Sequence, residues 1–288
     1  MSDVLHGNGQ RKKASPARVY AHFLGSRDTY EVDREAAQKV IDAAPDTPAV
    51  ARANYEFAGR AAAYGVMQLS KRPHRGPIRV LNIGCGIDDD VRPPTLGDQV
   101  HSATPDALLI NVDNDPEVLT HARAAQRLGH GKVLEGDVRD LDKLFNGPDL
   151  RALIDLNEPM VIVLAAVLHF VDDPARIMAD LRNWVPPGSI LVLSHATTTD
   201  VDRDRVEAMT NAYDTATSSI TFRPEEEILA LTKGWRLIRP PGSQEQPGTS
   251  DRCLVDVAQW GRPQPDNDQH KPSVRVVGLV AELEGEGR

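Results

Sequence analysis

From residue 78 onward the apolar positions alternate between short continuous runs and stretches at helical spacing. The runs at 78–83, 107–112, 132–135, 160–165 and 189–195 predict five strands. Helices are predicted at 116–128 and 174–184, with shorter pieces at 141–145 and 149–156. Such alternation gives right-handed crossovers and a doubly wound, mostly parallel sheet. The 160–165 run is apolar throughout and predicts a central strand.

The pattern changes late in the chain. Two helices, 202–213 and 223–233, precede a strand at 235–238, a long polar loop and a strand at 274–282. Two consecutive strands without a helix predict a β-hairpin at one edge, making the sheet seven-stranded. Before residue 77 the pattern is helical. Ser15-Pro16 reads as an N-cap with proline in the first turn, and Val19, Tyr20, Phe23 and Leu24 form one face before Gly25. Further helices are predicted at 34–44 and 48–69, then a Pro/Gly-rich linker. The expected organisation is a disordered tail at 1–14, a helical cap at 15–76, and an α/β domain at 77–288 that forms one compact unit with the cap.

Composition narrows the function. The 288 residues carry a formal net charge of −9, which repels phosphate backbones and disfavours nucleic acid as a partner. Arg11-Lys12-Lys13 is the one basic run, and it lies in the polar tail. Two distant cysteines, Cys85 and Cys253, offer no disulfide framework. No apolar stretch reaches membrane-span length, no signal-peptide pattern is present, and the histidines lack metal-ligand spacing. A cytoplasmic protein without a metal, monomeric or homodimeric, is expected.

In this architecture ligands bind beyond the C-terminal ends of the strands. The polar clusters all fall at such ends: Gly84-Cys85-Gly86, Asp113-Asn114-Asp115, Asp137, His169 and His195. The glycines permit a turn against which a ligand can lie, although Gly-x-Gly also serves as a plain tight turn. Asp113 suits a ribose diol, because a carboxylate can accept from both hydroxyls. It stands farther from Gly86 than the roughly 20 residues of a dinucleotide fingerprint, and the acidic insertion at 88–99 accounts for the excess. Asp113 or Asp115 could instead cap the next helix. Asp137 suits an adenine amino group, with Val138 against the base; the alternative is a surface turn. Together these residues describe an adenosine site. The third glycine of G-x-G-x-x-G is replaced by Asp89, and the late hairpin belongs with methyltransferases, so S-adenosylmethionine is favoured over NAD.

Several stretches carry a family likeness: Ala17-Arg18-Val19-Tyr20, Asp33-Arg34-Glu35-Ala36, Ala51-Arg52-Ala53-Asn54, Val112-Asp113-Asn114-Asp115-Pro116 and Ala166-Val167-Leu168-His169-Phe170. On these residues, and over roughly 15–283, the chain resembles the actinobacterial S-adenosylmethionine-dependent methyltransferases first catalogued as a domain of unknown function. The resemblance implies a class I, Rossmann-like methyltransferase fold with the cap over the cofactor. It implies cofactor contacts from Tyr20, Gly25, Arg27, Asn82, Gly84, Cys85, Gly86, Asp113, Asn114, Asp137, Val138, Ala165, Ala166 and His169. Asp28, Tyr30, Asp33, Arg52 and Asn54 would lie in the same region. The chain departs from the family at Asn82, where an acid is usual, at Ile87-Asp88-Asp89-Asp90 after the glycines, and at Arg27, where lysine is usual.

Methyl transfer needs a general base only for a protonated acceptor. His169 and His195 are the candidates, each with a structural role as the alternative. The expected reaction is O- or N-methylation of a small molecule, with the cap and residues 197–222 as candidate linings of the acceptor pocket and Tyr213 and Phe222 as its apolar candidates. Two other readings stand beside it: a catalytically weak S-adenosylmethionine binder with a regulatory or structural role, suggested by Asn82 and the acidic run, and a nicotinamide-dependent oxidoreductase.

Overall fold

The computed structural model describes residues 13–87, 94–126, 131–213, 216–242, 253–262 and 273–285. Asp88–Asp90, the last residues of the helix expected at 116–128 and the tail before Lys13 lie outside these. Ala14 belongs to the folded part: it is fully buried and bridges Ala216.

Three helices come first: α1 (Pro16–Phe23), α2 (Glu31–Ala43) and α3 (Thr47–Ser70). Gly25, at φ +93°, follows α1 in the left-handed conformation that glycine tolerates best. Helix α2 begins three residues before the expected start. The Asp33 carboxylate accepts the Tyr30 backbone N–H at 3.0 Å, satisfying one of the donors that a helix start leaves over.

The sheet is built from β1 (Arg79–Ile83), β2 (Leu108–Asp113), β3 (Lys132–Glu135), β4 (Val161–Ala165), β5 (Ile190–Thr197), β6 (Trp235–Ile238), β7 (Val255–Asp256) and β8 (Arg275–Leu283). Its order is β3-β2-β1-β4-β5-β8-β6. The first five strands pair in parallel, and β8 runs antiparallel between β5 and β6. This is the expected seven-strand path with its late antiparallel pair. The two-residue β7 adds an eighth strand, pairing with β8 at Gly278 and Val277.

Side-chain alternation divides the core between two faces. Leu81 and Ile83 on β1, Ile162 and Leu164 on β4, and Leu191 and Leu193 on β5 point into one cluster. It is closed by α6 (Leu141–Asn146), α7 (Pro148–Arg151), α8 (Pro174–Trp184) and α10 (Glu225–Ala230). Val80, Val161, Val163, Ile190 and Val192 point the other way, onto α3 and α4 (Leu96–Ala103). Helix α3 thus covers the sheet, while α1 and α2 form the cap proper. The cap's apolar cluster also takes Met209 and Ala212 from α9 (Arg203–Ala212), with Tyr213, Ile220 and Val274. Helix α5 (Pro116–Gln126) follows β2. Among the described residues no helix is long and apolar enough to cross a membrane.

Candidate functional site

A cleft of about 1070 Å³ opens at the C-terminal ends of β1–β4. Its floor is the turns that leave those strands. After β1, the Gly84 and Cys85 N–H groups both donate to the Val112 carbonyl, at 2.7 and 3.1 Å. Gly84 has φ +73°, and a Cβ there would come within 2.6 Å of a Val167 methyl. Gly86, at φ +65°, has open space where its Cβ would stand. The first glycine is needed for packing as well as conformation, and the second keeps the main chain approachable.

Asp113 ends β2 and is 7% exposed. Its Oδ2 accepts from Gly86 N at 3.1 Å, and its Oδ1 from Asp115 N at 3.0 Å. Each oxygen keeps a second acceptor position. Burial raises the Asp113 pKa, with the backbone donors opposing it. After β3, the Arg139 Nε and backbone N–H both donate to Asp137 Oδ1 at 2.9 Å, and Asn114 Nδ2 donates to Oδ2 at 2.9 Å. Led by the Arg139 hydrogen bond, these contacts hold the Asp137 carboxyl at about 2. After β4, Ala166 adopts φ +57°, a left-handed conformation costly for a residue with a Cβ. Its N–H is held by Ser194 Oγ at 2.9 Å.

The roof comes from α1, α3 and the chain at Thr217 and Ser218. Arg18 ties it down. Its Nε donates to Asp33 Oδ2 at 2.8 Å, and its Nη1 to Glu117 Oε2 at 2.8 Å and Asp115 Oδ2 at 3.4 Å. The Ser15 hydroxyl donates to Asp115 Oδ2 at 2.8 Å instead of capping its own helix. One buried cation therefore joins both cap helices to α5.

Tyr20, Asn82, Gly84, Cys85, Gly86, Asp113, Asn114, Asp137, Val138, Ala165 and Ala166 all line the cleft, as does Asn54. Gly25, Arg27, His169 and His195 do not. Gly25 closes α1, and Arg27 is exposed in the loop beyond it. His195 is fully buried because β5 continues to Thr197 and pairs His195 with Val277; it stands within the strand, not past its end. Its Nδ1–H donates to the Ala196 carbonyl at 2.7 Å, and its Nε2 accepts from Arg223 at 2.9 Å. These bonds require a neutral ring, and desolvation lowers its pKa to about 4. His169 lies in the 3-10 turn Leu168–Phe170, edge-on to Phe170, and its Nδ1 accepts from Ala196 N at 3.3 Å. Burial, with help from His195 and Arg223, holds its pKa well below the ordinary value. Both rings have the structural surroundings that were the alternative to catalysis. Of the 197–222 segment, Thr217 and Ser218 reach the cleft, whereas Tyr213 is buried in the cap cluster and Phe222 packs against it.

Arg18, Glu117, Phe170 and Arg139 are site residues that the chain pattern does not single out. Arg18 and Phe170 fall in stretches that carry the family likeness, but the pattern gives neither a role. Among the described residues, no group of three His, Cys, Asp or Glu could hold a metal ion.

A 3-2-1-4-5 parallel sheet with an antiparallel strand inserted before the edge, a glycine turn after β1 and an acid ending β2 define a class I S-adenosylmethionine-dependent methyltransferase. The chain belongs to the S-adenosyl methyltransferase family, whose sequence profile matches residues 7–283. Two crystal structures share the fold. A candidate methyltransferase from Thermobifida fusca has 24% identity and a TM-score of 0.79, over 95% of this chain and 96% of that one. A DUF574 family protein from Streptomyces avermitilis has 26% identity and a TM-score of 0.78, over 94% and 97%. No curated protein matches the sequence.

S-adenosylmethionine is the family's cofactor. The cleft fits it on two observations: the open main chain at Gly86 and the spare acceptor positions of Asp113.

Proposed function

We infer that the protein methylates a small molecule, at oxygen or nitrogen, inside this cleft. The observation that carries the reading is the cleft's volume. At about 1070 Å³ it lies just above the range of roughly 300–1,000 Å³ usual for a site that holds one small molecule, leaving room for an acceptor beside the cofactor. A net charge of −9 argues against a nucleic-acid substrate.

In this reading Asp113 accepts from the ribose hydroxyls, and Asp137 with Val138 receives the adenine. Gly84, Cys85 and Gly86 lie beneath the cofactor, and Asn82, Ala165 and Ala166 line its far side. When bound, the cofactor supplies an electrophilic methyl group on a sulfonium. The chain's own part is to orient the two reactants and to keep water out beneath the cap. Phe170, Val171, Thr217 and Ser218 form the acceptor wall. His169 and His195 support that wall: Arg223, bonded to His195, also donates to the Leu168 and Val171 carbonyls. Two cysteines far apart in the chain, Cys85 and Cys253, suit a reducing cytoplasm.

The test is to incubate the protein with methyl-labelled S-adenosylmethionine and fractionated metabolite extracts. Label in a low-molecular-weight product is the expected result. Label only in RNA or protein would overturn the small-molecule reading. Tight binding of S-adenosylhomocysteine without transfer to any fraction would favour the binder reading, which Asn82 alone motivates among the described residues.

A further inference from the structure

Asn54 and Ala58 lie one turn apart on α3, and both line the cleft. Asn54 is only 2% exposed, and Tyr20 determines which way its amide faces. The Ala51 carbonyl can only accept, so the Tyr20 hydroxyl donates to it, at 2.8 Å. The hydroxyl oxygen is left as an acceptor, and Asn54 Nδ2 donates to it, also at 2.8 Å. The amide cannot be flipped without setting two acceptors against each other. Asn54 Oδ1 is therefore the end turned away from Tyr20, and it has no donor among the described residues. Folded proteins seldom leave a buried amide oxygen unsatisfied, because its desolvation is not repaid.

The sheet order indicates what could supply the donor. Asp113, Asn114, Asp137 and Val138 follow β2 and β3, whereas β1 and β4 lie beyond them in the order β3-β2-β1-β4. Helix α3 packs on β4, with Gly65 against Val161. A cofactor with its adenosine at β2 and β3 extends its amino-acid arm past Gly84, toward β4 and α3. The residues that α3 gives to the cleft, Asn54, Tyr55 and Ala58, include no charged side chain. On β1, Asn82 spends its Nδ2 on Asn111 Oδ1 at 3.0 Å. A cationic group at this end must be received by neutral oxygens.

We propose that Asn54 Oδ1 accepts a hydrogen bond from the α-ammonium of the cofactor's amino-acid arm, and that Tyr20 is the positioning residue that aims it. The terminal amide torsion is soft, so a small turn of the whole amide plane brings the oxygen to the ligand, and the 2.8 Å bond from Nδ2 to Tyr20 tolerates it. The assignment rests on the reading of the cleft as an S-adenosylmethionine site.

The test is calorimetric titration of wild type, Asn54→Ala and Tyr20→Phe with three ligands: S-adenosylhomocysteine, its desamino analogue, and 5′-methylthioadenosine. Asn54→Ala should weaken S-adenosylhomocysteine about tenfold, the range of a charge-assisted hydrogen bond. The other two ligands, which lack the ammonium, should change less than about twofold. Tyr20→Phe should give the same pattern with a smaller loss, and it decides the matter alone if Asn54→Ala does not fold. Equal losses for all three ligands would mean a structural role and overturn the assignment, as would unchanged S-adenosylhomocysteine affinity. An amine acceptor as the true partner would show as that unchanged affinity. Wild-type protein that binds none of the three would remove the cofactor reading and this assignment together.

Discussion

Arg18 Nε and Asp33 Oδ2 lie 2.8 Å apart with both side chains shut away from water, at 5% and 0% exposure. Removing Asp33 takes from Arg18 its one fully buried partner and from the Ser15 and Tyr30 N–H groups their acceptor. Asp33→Ala should cost about 3–5 kcal/mol in urea or thermal unfolding. Glu117→Ala, whose carboxylate is 26% exposed, should cost under about 1 kcal/mol. Comparable losses for the two would mean that the cap is not held chiefly by the buried pair.

The two glycines of the β1 turn should respond differently. Gly84→Ala meets both a left-handed φ and a Val167 methyl 2.6 Å away, whereas Gly86→Ala meets only the φ. The conformational part is about 1–2 kcal/mol for each. Gly84→Ala should therefore unfold at the lower temperature by calorimetry.

Asp113→Asn sets an amide NH₂ against one of two backbone donors, Gly86 N or Asp115 N. It should weaken S-adenosylhomocysteine and 5′-methylthioadenosine alike, by about tenfold or more. This contrasts with Asn54→Ala, which should affect only the ligand with the ammonium. Titration of both ligands against both variants separates the adenosine end of the cleft from the amino-acid end.

His195 makes the fold sensitive to acid. Burial lowers its pKa to about 4 in the folded protein, below the ordinary value of 6.5. The unfolded chain binds the proton first as pH falls, so the stability this residue contributes is whole above 6.5 and is lost on descending to 4. The full loss is about 3 kcal/mol. Buried His169 acts in the same direction. Melting curves of His195→Gln should lose less stability than wild type between pH 7 and pH 4, while S-adenosylhomocysteine affinity at pH 7 stays the same. Parallel curves would mean that carboxylates alone govern the acid transition.

Four of the five parallel strands were legible because both of their faces are largely buried, so each reads as an apolar run bounded by turns, while the edge strand β3 exposes Lys132 and Glu135. The floor of the cleft was legible for a related reason: glycine and acid at strand ends are local signals. The ion pairs that hold the roof were not, because Arg18 meets Asp115 and Glu117 across 97 and 99 residues of chain, and ion pairs leave no periodicity. His195 shows the opposite failure. A polar residue closing an apolar run reads as a strand end. Here β8 lies alongside and carries the strand on, so the imidazole is enclosed by neighbours that come from residue 275 onward. The early start of α2 depends on Asp33, which serves both as a cap for Tyr30 and as the partner of Arg18.

The cap has a consequence for the chain during its synthesis. It leaves the ribosome first, yet Arg18 must wait 97 residues for Asp115, and Asp46 waits 227 for Ser273. At about 5–20 residues per second, the first wait lasts roughly 5–20 s and the second up to about 45 s. Through that interval Val19, Phe23 and Leu24 lack Met209, Ile220 and Val274, which complete their cluster. The part made earliest is thus the part buried last, and a stalled nascent chain presents the kind of unfinished apolar surface that chaperones hold.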